Sequence, residues 1–581
     1  MDHKNKRPVK LFDFLLQASP NKVFISILFG MAAGLAYTLI IPLVTQSIAI
    51  GPAEKLATEA QQRLFVVGFE VTNPKFAISF FALCLFILLA RTASQVILQR
   101  VAINATRKIR IDIYQRISQL PVIDVERIGP SRLHATIAKD VPDIMGGAAA
   151  FPNILISTAT IVGLLGFLVY LNVYVFQFIL GTIIFGIITY RVPLYFGNRF
   201  YTDAREKFDS IQEGIRGLIY GAKELKLNRA KQQAFLAHEL VHHEDGLSKD
   251  TKNGILLITA ALNYGNLIAF LAIGVAAFII SNQYAVSAEA LVSIVMAMLY
   301  LTGPLGNILN SISPVIRGTI ALKKLNMLLD DMPIEQYGDE GKKIGCQQLV
   351  LRDVRYRYNA KQNSESGFDI GPIDLVLNRG EVTFLVGGNG SGKSTLGKIL
   401  SLHYVPQHGD IYFDGQKVTL QNRDLCRQNV AAIYTDFHLF PKLYGIDESK
   451  LTELAPSYLQ SLGLAEKVTI EDGCFSTTNL SDGQKKRLAL LVMYLEERDI
   501  YVFDEWAADQ DPMFKDVFYT RILNELKGAG KMVIVISHDD RYFDLADNIV
   551  TMENGRIREQ SASSVEAANP DEPELLPVEG A

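Results

Sequence analysis

Between Ile144 and Tyr190 the chain runs 47 residues without a charged side chain. A helix crossing a bilayer needs about 20 mostly apolar residues. The run is therefore too long for one crossing and suits two, with a tight turn near Asn172. Val23–Val44 gives another span of 22 uncharged residues. Phe76–Leu98 is interrupted only by Arg91, and Gly254–Ser281 and Ala290–Val315 complete a set of six, the last two joined by a turn at Asn282–Gln283. An even number of spans puts both termini on one side of the membrane. The loops 99–143 and 191–253 are rich in Lys and Arg, whereas the turns near Asn172 and Asn282 have none. The positive-inside rule places the basic loops and both termini in the cytoplasm. The outward loop 45–75 carries only Lys55, Arg63 and Lys75.

The basic start (Lys4, Lys6, Arg7, Lys10) resembles the opening of a signal peptide. The apolar stretch that follows exceeds the 7–15 residues of a signal core, so it reads as a retained span. The two cytoplasmic loops are helix-like in composition. Twenty helical residues reach about 30 Å, so the membrane helices are expected to project well beyond the bilayer. Pro121 and the stretch Gly214–Gly221 are expected to interrupt the projections.

After Arg317 the texture changes. ALKKLNMLLDDMP (321–333) reads as a connecting helix stopped by Pro333. From about residue 345, short apolar strands alternate with Gly-rich turns and helices, as in a soluble α/β domain. The whole chain is 49% apolar and 20% charged, as a part-membrane, part-soluble protein should be. Its net charge of −4 argues against a nucleic-acid partner. Cys84, Cys346, Cys426 and Cys474 form no CxxC pair and read as scattered reduced thiols.

Three segments carry chemistry. In EVTFLVGGNGSGKSTLGKIL (381–400), an apolar strand leads into Gly387, Gly388, Asn389, Gly390, Ser391, Gly392, Lys393, Ser394 and Thr395, which fit G-x-x-x-x-G-K-[ST]. Glycines let backbone N–H groups close around phosphates, and the helix start adds positive potential. Lys393 then reaches the β/γ-phosphates, and Ser394 offers a hydroxyl to Mg²⁺. In DIYVFDEWAADQDP (499–512), a buried-type strand ends in Asp504, a metal ligand, and Glu505, which orients the attacking water. A DE pair alone is commonly just a solvated turn; a phosphate loop upstream makes that reading less apt. The lone Trp506 reads as packing. NLSDGQKKRLAL (479–490) lies between the two, with Ser481, Gly483 and Gln484 at a helix start.

This last segment resembles the LSGGQ signature of ABC ATPases, and the order of phosphate loop, signature, acidic strand and VIVISHDD (533–540) is similar to theirs. The resemblance covers about 345–558. It implies that His538 contacts the γ-phosphate, that Tyr358 stacks on adenine, and that Ala508–Asp511 is the loop crossing a dimer interface. It further implies ATP and Mg²⁺ as ligands, and a second copy of the chain whose signature completes each ATP site, in a homodimer. Two departures stand out. Asp482 replaces the usual glycine, and its side chain is expected to point away from phosphate. Thr435 or Asp436 stands where a Gln is usual, and Asp436 is a further candidate metal ligand.

The layout expected is multidomain: a six-helix transmembrane bundle of ABC exporter type with long intracellular helices, plus an α/β P-loop ABC ATPase domain. The boundaries read as a cytoplasmic segment 1–22, spans 23–320, a linker 321–344, the ATP-binding domain 345–558, and an acidic, disordered tail 559–581. DEWAADQDP (504–512) and TDFHLF (435–440) resemble the cyclic-peptide exporter family, whose members export pyoverdine-type siderophore precursors, syringomycin-like lipopeptides or a lasso-peptide microcin. That resemblance implies an ATP-hydrolysing peptide exporter in the inner membrane of a bacterium, with the bilayer and a peptide-like cargo as partners. Fusion of spans and ATPase argues against an importer but fits a lipid or drug exporter equally. With 22 residues before the first span, no N-terminal peptidase domain is expected. Loops near Leu120–Arg127 and Ile211–Lys223 are candidates to press on the ATPase domains.

Other signals have plain explanations beside the functional ones. HELVH (238–242) matches H-E-x-x-H, in which His238 and His242 bind zinc with Glu239 as base. That would make an ATP-regulated membrane protease, although three fixed positions often match by chance. Arg91 either faces a cavity and an anionic substrate, or snorkels to the cytoplasmic edge. Asn263 and Asn266 line the same path or bond a neighbouring helix.

Overall fold

A computed structural model describes residues 10–49, 65–66, 69–70, 74–284, 286–335, 337, 345–358 and 368–562. The chain divides into two compact units: Met1–Ile113 with His134–Leu329, and Tyr114–Leu133 with Asp330–Ala581.

The first unit is mainly helical, with one short antiparallel hairpin of Phe65–Val66 and Phe69–Glu70. Its principal helices are α1 (Leu11–Ala18), α2 (Pro20–Thr38), α3 (Ile40–Ala49), α4 (Pro74–Ser118), which continues into the second unit, α6 (Phe151–Leu171), α7 (Val173–Tyr220), α8 (His242–Val275) and α9 (Ala288–Asp330); the short α5 (Val122–Ile128) belongs to the second unit. Five helical stretches are long and apolar enough to cross a membrane: Pro20–Gln46, Pro74–Ser118, Pro130–Leu171, Arg229–Gln283 and Ala288–Asp330. The sixth apolar segment, Val173–Thr189, opens the 48-residue α7. The turn between α6 and α7 falls at Asn172, whose carboxamide caps α7 by accepting from the N–H groups of Tyr174 (2.9 Å) and Val175 (3.1 Å).

Lipid tails are as apolar as the helices, so close backbone approach and buried hydrogen bonds hold such a bundle. Ser26 and Ser94 are buried and donate reciprocally to each other's carbonyls at 2.7 and 2.8 Å, pinning α2 to α4. Along α2, a Cβ on Gly34 would sit 2.7 Å from the Ile156 carbonyl of α6. Small residues thus bring α2, α4 and α6 together around one level of the unit.

Two projections end differently from one another. Helix α4 stops at Ser118, and Pro121 caps α5, as a proline start dictates. In α7, by contrast, the expected interruption over Gly214–Gly221 is confined to its last residue. Gly214 and Gly217 stay helical, and the break comes at Gly221. The helix runs through them despite their poor propensity, and both positions suit glycine: a Cβ on Gly214 would meet Leu240 at 2.9 Å and one on Gly217 would meet Phe235 at 3.1 Å.

The second unit holds two large sheets, beside a short antiparallel hairpin of Ile470–Glu471 with Cys474–Phe475. The strands of the two large sheets are β1 (Gln348–Tyr358), β2 (Phe368–Asn378), β3 (Val382–Gly387), β4 (His408–Phe413), β5 (Gln416–Lys417), β6 (Val430–Ile433), β7 (Ile500–Asp504), β8 (Met532–Ile536), β9 (Asn548–Glu553) and β10 (Arg556–Ala562). The larger sheet has the order β10-β9-β3-β8-β7-β6, parallel except for the β9–β10 hairpin, and the smaller antiparallel sheet has the order β2-β1-β4-β5. Strands β7 and β8 are buried at every residue, which is why they read as unbroken apolar runs. Glu559–Ala562, expected in the acidic tail, instead continue β10 opposite Asn548–Thr551. An edge strand needs only main-chain pairing, so it shows no apolar alternation. Residues 563–581 lie outside the described part.

The second unit also includes α5 from the basic 99–143 loop. Ile123 packs against the core under the smaller sheet. The four cysteines are free thiols.

Candidate nucleotide site

The site forms where β3, β7 and β8 end, the crevice that parallel sheets offer at their carboxyl edge. The phosphate loop follows β3 and leads into α10 (Lys393–Leu400). Gly387 has φ +142°, and a Cβ there would collide with the Met552 carbonyl of β9, so only glycine fits. Lys393 Nζ donates to the carbonyls of Gly387 and Gly388, both at 2.9 Å. Burial pushes the Lys393 ammonium below its ordinary pKa. Among the described residues, the buried Ser391 hydroxyl has no hydrogen-bond partner. A polyanion laid in this loop would relieve both costs.

Ser394 donates to Asp504 Oδ1 at 3.1 Å. Burial raises the Asp504 carboxyl above its usual range, with the Ser394 hydrogen bond opposing. A hydroxyl beside a buried carboxylate is the oxygen donor set that Mg²⁺ takes when phosphates supply the rest. Glu505 follows at φ +49°, in the left-handed region, and its Oε1 lies 2.8 Å from His538 Nε2. A cavity of about 370 Å³ opens over these groups, lined by Phe368, Asn389, Gly390, Gly392, Lys393, Ser394, Thr395 and Glu505.

The helix α11 (Arg423–Arg427) precedes the signature, which starts α12 (Asp482–Glu496). Ser481 and Gln484 form a reciprocal capping box. The Asp482 side chain is 82% exposed and pairs with Lys485 at 3.0 Å on the outer face of the helix. Gly483 is held against the following loop: its carbonyl accepts from Gln510 Nε2 at 3.0 Å, and Arg487 binds both Gln510 and Asp511. Trp506 is buried as packing, stacked on Phe518 at 4.4 Å.

Tyr358 ends β1 opposite Phe368, and its side chain lies outside the described part. Other expected residues fall elsewhere. Thr435 and Asp436 are exposed in the turn after β6, and Asp436 does not line the cavity. His238, Glu239 and His242 are exposed, and among the described residues no His/Cys/Asp/Glu group is arranged to hold a metal ion. Two residues escaped sequence reasoning. Lys486, 3% exposed, donates to the Glu505 carbonyl at 2.9 Å and pairs with Asp509 at 2.7 Å. Its signal is only the second Lys of a basic run. Phe368 lines the cavity but sits in no motif.

The profile of the ABC transporter family matches residues 370–508. The ATP-binding protein SyrD of Pseudomonas syringae pv. syringae is 33% identical over 576 residues, 97% of this chain and 98% of that protein. The chain belongs to the ABC transporter family. It is an exporter half-transporter that couples ATP hydrolysis to transport, with membrane helices and ATPase on one chain. The ATP-dependent lipid A-core flippase of Dechloromonas aromatica (strain RCB) is 26% identical over 487 residues, 79% of the exporter and 80% of the flippase. The solved structure of a bacterial Atm1-family ABC exporter with ATP bound superposes with TM-score 0.71 at 16% identity, covering 94% of this chain and 95% of that one, so the fold is shared.

Proposed function

We propose that two copies of this exporter move a peptide-like cargo out across the inner membrane of a bacterium, using ATP bound between the Lys393 loop of one copy and Ser481, Gly483 and Gln484 of the other. The observation that carries the ATP chemistry is the convergence of Lys393, Ser394, Asp504, Glu505 and His538 at one sheet edge. Lys393 exchanges the Gly387 and Gly388 carbonyls for phosphate oxygens. Mg²⁺, when held by Ser394 and Asp504, neutralises charge on the β- and γ-phosphates. Glu505 orients the attacking water, and His538 steadies Glu505 and faces the γ-phosphate. Tyr358 keeps its proposed place against adenine, with Phe368 beside the same loop.

The reading of the signature rests on its anchoring. Gln510 and Arg487 fix the N-terminus of α12 to the Ala508–Asp511 loop, so nucleotide capture by one copy is felt at the loop beside Glu505 of the other. Closure is then a population shift with ATP as the differential ligand.

The peptide cargo is supported by the two stretches 504–512 and 435–440, which resemble the cyclic-peptide exporter family, while the lipid flippase matches at only 26% and over a shorter span than the 33% relative. The test uses inside-out membrane vesicles containing the exporter. ATP-driven uptake of a fluorescent acylated peptide is expected, with no faster flipping of a fluorescent phospholipid. Phospholipid flipping without peptide uptake would sink the peptide reading and favour the lipid exporter.

A further inference from the structure

A cavity of about 270 Å³ lies inside the helical unit, between α2, α4, α6 and α9. Its wall includes Arg91, Tyr37, Tyr300, Ser157, Thr160 and Asn307. Arg91 is fifteen residues into the Phe76–Leu98 apolar run, about 22 Å of helix from its outer end. It is one turn outward from Ser94, which the reciprocal Ser26 hydrogen bonds pin in register. Among the described residues, Arg91 makes no hydrogen bond and no ion pair.

The sequence sharpens this. Arg91 is the one charged residue in all six apolar runs, and none of them contains an Asp or Glu. A second copy brings the same six runs, so it cannot supply a carboxylate from its spans either. A guanidinium cannot shed its proton to escape the cost of an apolar setting. An ionisable group inside a membrane domain is kept where a partner or a water-filled path receives it. Here the path is the cavity. The remaining lining suits the rest of an amphiphile: Tyr37 and Tyr300 meet edge to face at 5.6 Å and offer aromatic surface, and Ser157, Thr160 and Asn307 offer short polar contacts beside it.

We infer that the Arg91 cavity is a cargo subsite that holds an oxyanion, the carboxylate or phosphate of an amphiphilic molecule, with Tyr37 and Tyr300 against its apolar part. This rests on the exporter reading above and names the chemical class of the cargo. A carboxylate on a peptide and a phosphate on a lipid present the same oxygens to a bidentate guanidinium.

The experiment uses the full-length exporter in lipid nanodiscs and reads probe binding and probe-stimulated ATP hydrolysis. Four probes share one dodecyl chain: an acylated tetrapeptide ending in a free carboxylate, the same peptide as its C-terminal amide, the same peptide ending in an amine, and dodecyl phosphate. The parent protein is expected to prefer the carboxylate over the amide by tenfold or more. Arg91→Gln should remove that preference while leaving unstimulated hydrolysis within twofold, Arg91→Lys should keep part of it, and Arg91→Glu should turn the preference toward the amine. Equal binding of all four probes, or a preference that survives in Arg91→Gln, overturns the inference. If Arg91→Gln is not recovered folded, the reversal in Arg91→Glu, or its absence, decides. An Arg91-dependent response to dodecyl phosphate with none to the peptide supports the oxyanion subsite and overturns the peptide cargo, so the two readings fail separately.

Discussion

The buried ammonium of Lys486 donates to the main-chain carbonyl of Glu505 at 2.9 Å. Glu505 sits at φ +49°, a conformation that costs a non-glycine residue about 1 kcal/mol or more and persists only when its surroundings hold it. Lys486 lies in α12, and the indole of Trp506 donates to the Lys486 carbonyl at 3.0 Å, so the signature helix and the Glu505 turn clasp each other. Lys486→Met removes the charge-assisted bond, worth about 1.5–3 kcal/mol. Steady-state ATP hydrolysis should fall by roughly tenfold or more, with nucleotide affinity nearly unchanged. An equal loss of affinity would point to a collapsed phosphate loop instead.

Glu505→Gln tests the water-orienting role. The amide keeps a hydrogen bond to His538 but cannot take a proton. Hydrolysis should drop on the order of a thousandfold, within the range for removing a general base, while ATP still binds and holds the dimer closed. Parental turnover in this variant would remove Glu505 from the chemistry.

Much of this site was legible in the sequence because phosphate imposes it locally. Gly387–Thr395 are contiguous, and their spacing is the geometry of a backbone cradle. Asp504 and Glu505 announce themselves as acids ending an apolar strand. Lys486 and Phe368 were not legible, because their roles depend on which distant backbone the fold delivers to them. The same holds for Gly214 and Gly217, where a side chain would crowd Leu240 and Phe235, neighbours that only the fold brings close. Glu559–Ala562 looked like tail because edge pairing leaves no side-chain signature.

Glu335, just after α9, is the centre of a buried ion cluster. It accepts from Arg423 at 2.6 Å and from Arg427 at 2.8 Å, and its side chain is 7% exposed. Burial alone would raise its pKa, but the hydrogen bond from Arg427 and both positive charges outweigh it, and the carboxyl ends below its ordinary 4.5. A depressed folded-state pKa contributes stability that is present above about 4.5 and is lost as pH falls through the lower folded value. Glu335→Ala strands Arg423 and should cost about 3 kcal/mol or more at neutral pH. Thermal melting of the ATPase unit should drop on the order of 10 °C, and the variant should lose part of the parental acid sensitivity below pH 4.5. An unchanged acid profile would mean that other carboxylates carry it.

Glu126 in α5 accepts from Lys398 Nζ at 2.8 Å and from the Tyr404 hydroxyl. Lys398 is on α10, the helix that starts at the phosphate loop. Arg127 beside it binds the Asp331 carboxylate at 3.0 Å and its carbonyl at 2.9 Å. The first cytoplasmic loop is thereby bonded to the helix that carries Lys393 and Ser394. Glu126→Ala should leave unstimulated hydrolysis within about threefold, the scale of one exposed ion pair, yet reduce ATP-driven transport much further. Parallel loss of both activities would mean that α5 supports the ATPase fold rather than its connection to transport.

Asp482 stands where the signature usually has glycine, and an anion aimed at a partner's nucleotide would repel it. Its side chain instead lies on the outer face of α12, 82% exposed and 3.0 Å from Lys485. There it is an acid in the first turn, which favours a helix N-terminus by about 0.3–1 kcal/mol. Asp482→Gly should therefore leave the KM for ATP and the turnover within about twofold and lower stability by about 1 kcal/mol, through lost helix propensity and lost charge. Asp482→Lys reverses the charge at the same outward position and should add only the repulsion with Lys485. If either variant tightened ATP binding tenfold, the carboxylate would have to face the nucleotide in the closed dimer, and α12 would have to rotate on closure to bring it there.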